Sequence, residues 1–348
     1  RRRFLCATCI QIAAGLHLPS HGGDPIGDGV MKSLGAALCF GVLGLGGLGL
    51  GIGPLSAAAD AQEPADSAWA RYPSVTEIEI EDAAARVFIA PQLRGDSAVG
   101  VVNRGPLPDP TVRVQGSRLT LDGELRRIDG CSGDGSVTVA GYGRVAAEDL
   151  PVIYVRTPES LVFSGEGALT VSSAPATAAR VALAGCSTGD LGPVADLLQL
   201  RLAGEASAVA GPSARARVAI AGDGDAQLGP VQRDLDVAIA GSGRVGVGAV
   251  NGPVRIAIQG DGYVDLGSGH AEDLRVAIAG QGHVRFNGAA EAVSAAIAGS
   301  GLIEVAAVEG QVEQRIAGTG AVRVGPVGPP HAALAPRPPV PPRPPVVP

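Results

Sequence analysis

Between residues 75 and 325 apolar and polar side chains alternate in short runs, with a spacing of two. From 75 to 130 the apolar positions are Val75, Ile78 and Ile80, then Val87 and Ile89, Val112 and Val114, and Leu119 and Leu121. Pro91, Gly95, Pro106, Pro108, Gly116 and Gly123 punctuate them. Such alternation predicts about four or five half-buried strands and no helix. Ser136-Val137-Thr138-Val139 and Val152-Ile153-Tyr154-Val155 form a second strand group.

Beyond residue 160 the pattern becomes a repeat. A marker glycine stands at Gly165, Gly185, Gly204, Gly222, Gly241, Gly260, Gly280, Gly299 and Gly318. Most units read Gly-x-Gly; Gly185-Cys186-Ser187 and Gly204-Glu205-Ala206 keep only the first glycine. Each unit holds two short strands joined at the glycine turn, and a looser Gly/Pro segment leads onward. The first strand carries Leu183, Leu202, Ile220, Ile239, Ile258, Ile278, Ile297 and Ile316 at one position. The second carries Val245, Val264, Val284, Ile303 and Val322, then Val247, Leu266, Phe286, Val305 and Val324. A unit of about 19 residues cannot bury its own apolar side, but units stacked about 4.8 Å apart place like over like and share one core.

The expected fold is therefore all-β, a parallel β-helix or solenoid-like array of Gly-x-Gly repeats at 161–328 with an N-terminal β-strand block at 75–160. A meander of hairpins is the alternative, because a Gly-x-Gly turn also closes antiparallel pairs. The near-constant unit length favours the coil. Gln314 and Arg315 replace the Val and Ala of earlier units, as expected where stacking must stop. Residues 329–348 form a Pro-rich tail, expected as polyproline II and as a spacer.

At the other end Met31, the only methionine, precedes Lys32, an apolar run from Leu34 to Leu55, and Ser56-Ala57-Ala58-Ala59-Asp60-Ala61. This order predicts a signal peptide at 31–61 cleaved after Ala61. It leaves 1–30 as an upstream translated segment and 62–74 as a linker. An uncleaved anchor is the competing reading, weakened by the glycines from Gly41 to Gly53. Arg1-Arg2-Arg3-Phe4-Leu5 also fits a twin-arginine export pattern. All these readings export the chain, to the periplasm, the outer cell surface or beyond. After cleavage no stable membrane span is expected.

Composition narrows the chemistry. The 348 residues include 52 Gly and 27 Pro, only 3% aromatics, and a net charge of −7. The core must be Val, Ile, Leu and Ala. No basic patch marks a nucleic-acid binder. Past residue 61 the cysteines are Cys131 and Cys186, a candidate disulfide in an exported chain, or else two free thiols.

Units such as Ile239-Ala240-Gly241-Ser242-Gly243 and Ile297-Ala298-Gly299-Ser300-Gly301, behind a signal and a strand block, resemble the putative auto-transporter adhesin head GIN domain family. The resemblance spans roughly residues 75–325. It implies an exported bacterial protein with a β-helix-like fold, and it supplies no catalytic residues.

Candidate chemistry is sparse. Calcium-binding β-rolls need an Asp that is replaced here by Ala226, Val245, Val264, Val284, Ile303 and Val322, and apolar side chains do not ligate a hard cation. Neither a metal nor a cofactor is expected. Asp223, Asp225, Asp261 and Asp265 are the best carboxylate cluster for a glycan-cleaving enzyme. Asp223 and Asp261 sit in a turn series with Ser242, Gln281, Ser300 and Thr319, which reads as solvated turn chemistry. His270-Ala271-Glu272 matches half of a zinc-deaminase signature, without its cysteines. His270 and His283 read as loop residues.

The outward side of the first strands is more informative. With Ile239 inward, Ala238 and Ala240 face outward, as do Ala219 with Ala221, Ala277 with Ala279, and Ala296 with Ala298. This methyl-lined strip is a candidate contact surface for a second protomer, for the N-terminal block, or for an envelope protein or glycan. Alternatively it reflects only small residues from GC-rich coding. The expected function is a non-catalytic, adhesin-like envelope or cell-surface binding protein, with a glycan-active β-helix enzyme as the alternative.

Overall fold

The structure, a computed structural model, describes residues 69–92 and 96–325. The expected upstream segment, the expected signal peptide at 31–61 and the Pro-rich residues 329–348 lie outside the described residues, as does most of the expected 62–74 linker.

One sheet of 21 strands winds as a β-solenoid of about nine turns. Ser213–Gly222 pairs in parallel with Val231–Gly241, so that Ile220 faces Ile239 and Gly222 faces Gly241. The second strands form their own parallel ladder: Val245 lies between Ala226 and Val264. The two strands beside a Gly-x-Gly turn thus pair with the turns before and after, not with each other. This register is a coil and excludes the hairpin meander. The inward positions Ile220, Ile239, Ile258, Ile278 and Ile297 are buried, as are Val245, Val264, Val284 and Ile303.

The two glycines of the turn are required for different reasons. Gly241 has φ +127, and a Cβ there would lie 2.5 Å from the carbonyl oxygen of Gly222 in the preceding turn. Gly243 has no unusual φ; a Cβ there would lie 2.6 Å from Cγ2 of Ile220, again one turn back. The second glycine at Gly243, Gly262, Gly282, Gly301 and Gly320 therefore answers the β-branch of an isoleucine below it, whereas Gly224, above Leu202, answers the carbonyl oxygen of Ala206 at 2.8 Å. The incomplete units both lie above a residue that lacks this branch. Ala206 follows a turn carrying Leu183, which has no Cγ2 branch, and Ser187 follows one carrying Gly165.

The first marker needs correction. Gly167, not Gly165, pairs with Gly185 and has the positive φ of +131. Gly165 occupies the inward position opposite Leu183, where a Cβ would come 2.5 Å from Leu169 and 3.1 Å from Phe163. The large side chains on either side fill its volume.

The strands of 75–160 do not form a block apart. Glu77–Gln92 stacks in parallel on Ser160–Ser173. Arg118–Asp122 and Val152–Pro158 stack on its far side. One core runs from Val75 to Val305. These first turns lack the glycine marker because Asp82 itself takes a positive φ of 47, and Ala83 stands opposite Gly167. Antiparallel strands then close this end: Thr111–Gln115 on Arg118–Asp122, Ser97–Val102 on Val152–Pro158, and Ala70–Tyr72 on Ser97–Val102. At the other end Val312–Gly318 is exposed throughout. Ile316 and Val324, read from sequence as core positions, are 39% and 51% exposed because no further described strand stacks on them.

Residues 123–151 leave the ladder and build a three-stranded sheet from Ile128–Cys131, Val137–Val139 and Gly143–Val145. Val137, Val139, Val145 and Leu150 cover Ala84 and Ala168 at the glycine corner of the first turns. Cys131 and Cys186 are joined as a disulfide across a Cα separation of 6.4 Å, within the range such a bond spans. Cys186 stands in the turn position that becomes Glu205 and Asp223 further along, so the corner changes from apolar to polar where the insertion ends.

Two stability predictions follow from this packing. Gly243→Ala should cost about 1–3 kcal/mol by overpacking. Ile220→Leu in the same chain should recover part of that loss, read as coupling in a double-mutant cycle from denaturant melts. Replacing both Cys131 and Cys186 by Ser should lower stability by about 2–4 kcal/mol, and hydrogen exchange should quicken first within 123–151.

Candidate functional site

The alanine face is built by register. Ala219, Ala238, Ala257, Ala277 and Ala296 stack in one outward row. Ala221, Ala240, Gln259, Ala279 and Ala298 stack in the next. The structure places all eight alanines singled out in sequence on this one face. It adds Ala257, hidden in the sequence by its neighbour Gln259, and Ala182, Ala184 and Ala203 nearer the N-terminal end. Most of these methyls are half-buried, because strands on both sides shield them, while Ala279 and Ala298 are exposed. Arg201 and Arg315 occupy the first row at either end and bound the strip.

Charged residues flank the strip. On the side away from the turns run Gln199, Arg217, Asp236, Arg255 and Arg275. Arg255 lies 3.5 Å from Asp236 and 3.6 Å from Asp234, and Arg217 lies 3.5 Å from Asp236. On the turn side Asp223 and Asp261 are exposed and, among the described residues, have no ion-pair partner.

Towards the N-terminal end the face sinks into a depression of about 150 Å³ floored by Ala182, Ala184 and Ala203. Glu79, Glu81, Glu166 and Arg201 stand around it. Arg118 pairs with Glu77 at 2.9 Å and with Glu79 at 3.5 Å. Glu81, Glu166 and Arg201 have no ion-pair partner among the described residues. Partial burial pushes the Glu81 carboxyl above its ordinary value, and the carboxylates of Glu79, Asp122, Asp82 and Glu166 push it further. Sequence spacing did not reveal this cluster, because Glu81 and Glu166 meet only through the pairing of Glu77–Gln92 with Ser160–Ser173.

The aspartates named from sequence separate onto two surfaces. Asp223 and Asp261 are solvated at the turns. Asp225 and Asp265 lie on the outward side of the second strands. There Asp265 adjoins Arg285, which is 4% exposed and donates from Nε and Nη2 to Asn287 Oδ1 at 3.2 and 3.1 Å. Burial raises the Asp265 carboxyl, opposed by the charges of Arg285 and His283. His283 lies 3.0 Å from Glu304, and His270 lies 3.0 Å from Glu291. Among the described residues no group of three His, Cys, Asp or Glu side chains converges to hold a metal. No helix among them is long and apolar enough to cross a membrane, which leaves strand-built spans unaddressed.

Residues 249–333 match the family model described as Putative auto-transporter adhesin, head GIN domain. The resemblance read from the repeats is thus borne out over the C-terminal turns. Solved structures similar to the chain include a putative adhesin from Parabacteroides merdae ATCC 43184, at 14% identity and TM-score 0.47, covering 74% of this chain and 94% of that one. A putative adhesin from Parabacteroides distasonis ATCC 8503 has 14% identity and TM-score 0.48, covering 74% and 95%. A protein described as a putative lipid binding protein from the same organism has 14% identity and TM-score 0.46, covering 74% and 94%. No curated protein matches the chain.

The Glu81 environment predicts a pH dependence. A carboxyl raised in the folded state binds its proton more tightly there, so its ionisation destabilises the fold as pH rises from about 4 through the folded value. Glu81→Gln should therefore raise the melting temperature at neutral pH, and the advantage should vanish below about pH 4. Thermal melts across pH check this.

Proposed function

We propose that the chain is an exported, non-catalytic, adhesin-like binding scaffold of the envelope or cell surface, whose flat alanine face is its contact surface. The observation that carries this reading is the face itself: a parallel sheet whose outward rows are methyl groups over five turns, broken only by Gln259. An exposed solenoid face normally carries long charged side chains, and a smooth apolar one gains by being covered. The family match is consistent with a surface role. The exported location rests on the Met31 to Ala61 pattern.

The alternative is a glycan-active enzyme. Its support is the adjacent pair Glu81 and Glu166 beside a depression, with one carboxyl raised, the kind of asymmetry that an acid/base pair uses. The turn aspartates offer less, since Asp223 and Asp261 lie two turns apart, about 10 Å, on an exposed edge. Incubating the full chain on a carbohydrate array, with release of reducing ends monitored, separates the two readings. Retention without turnover is the expected result. Turnover that Glu81→Gln or Glu166→Gln abolishes would make the protein an enzyme.

A further inference from the structure

The alanines alone do not select an occupant; the charges beside them do. Taking the proposed contact face as given, we infer that its occupant is a second copy of this chain, related by a two-fold axis parallel to the solenoid axis. Such an axis keeps each turn at its own height, so every turn meets the same turn of the partner. It reverses the strand direction. Centred on the inward isoleucine position, it lays Ala238 and Ala277 over Ala240 and Ala279 of the partner subunit. The same operation sets the residue five before each marker glycine against the residue one after it.

The resulting pairs agree turn by turn. Arg217 meets Asp223 of the partner subunit, and Arg255 meets Asp261 of the partner subunit. In the turn between, where the flank is Asp236, the opposing residue is Ser242. Gln199 meets Glu205, and Arg275 meets Gln281. In these five turns no like charges oppose each other; in the first turn, beyond them, the same operation would set Glu79 against Glu81 of the partner subunit, so the contact is confined to the five turns. A two-fold along the strands would instead set the arginine-bearing flank against itself.

The large residue that interrupts the strip also finds a place. Arg201 falls over Ala203 of the partner subunit, at the floor of the partner's depression. That depression extends two and three turns further to Glu166 and Glu81, neither of which has an ion-pair partner among the described residues. Arg201 likewise has none among the described residues.

Five turns about 4.8 Å apart and a flank-to-flank width of about 20 Å give roughly 1,000 Å² buried in total. This lies at the lower limit for a specific interface, so a weak, concentration-dependent and salt-sensitive dimer is expected.

The test uses the full mature chain in analytical ultracentrifugation, with thermal melts to confirm that each variant folds. Wild type should associate to a dimer at high micromolar concentration and low salt. Arg255→Glu and Asp261→Arg should each weaken self-association about tenfold, because symmetry places each repelling pair in the interface twice. Mixed together, the two variants should form a one-to-one heterodimer, since each then meets its opposite charge at both contacts. Arg217→Glu with Asp223→Arg should behave alike. A mixture that stays monomeric overturns the inference, as do a strictly monomeric wild type and open-ended oligomers. If Ala238→Glu with Ala277→Glu abolishes association while the charge exchange restores none, the face remains the contact surface and this two-fold is wrong. If those alanine changes leave both association and array binding untouched, the contact-face reading itself fails.

Discussion

Parallel stacking at about 4.8 Å makes each residue the floor of the one above it. Everything else in the molecule answers to that constraint. A glycine carbonyl in one turn lies where the next turn's Cβ would be, as at Gly222 and Gly241. The Cγ2 of Ile220 reaches up and excludes a side chain at Gly243. A deviation in one turn is permitted only where the turn below has made room, as with Ser187 above Gly165. Repetition here is a packing requirement.

A ladder of this kind also has to end. At the N-terminal end the parallel strands give way to antiparallel ones, which satisfy the last backbone groups and turn the chain away from further stacking. The glycine corner of the same turns is covered by the 123–151 sheet and tied down through Cys131 and Cys186. At the other end Glu313, Gln314 and Arg315 put polar groups on the last described first strand. Such residues discourage edge-to-edge association, which directs attention to the flat faces as places where another molecule could settle.

Electrostatics divide those faces. The outward side of the second strands carries a dense polar network around Asp265, Arg285, Asn287 and the His283–Glu304 pair, whose groups largely satisfy one another. The alanine face has its charges along the flanks, at the N-terminal depression and at Arg315, and Glu81, Glu166, Asp223 and Asp261 have no ion-pair partner among the described residues. Unanswered charge beside smooth apolar surface is a better basis for recognition than charge already neutralised.

The sequence by itself determined the all-β class, the turn length near 19 residues, the inward isoleucine and valine rows, and the eight alanines of the outward strip. These are local or strictly periodic properties, and stacking preserves period in full view. Tertiary structure alone decided the rest. It moved the first marker from Gly165 to Gly167, because only the pairing with Gly185 shows which glycine bends the chain. It drew the strands of 75–160 into the same ladder, because Asp82 makes a turn there without the glycine signature. It brought Glu81 beside Glu166, residues far apart in the chain whose proximity depends on which strand stacks on which. Periodicity reports what repeats along a chain; it is silent on contacts made once, between segments that share no pattern.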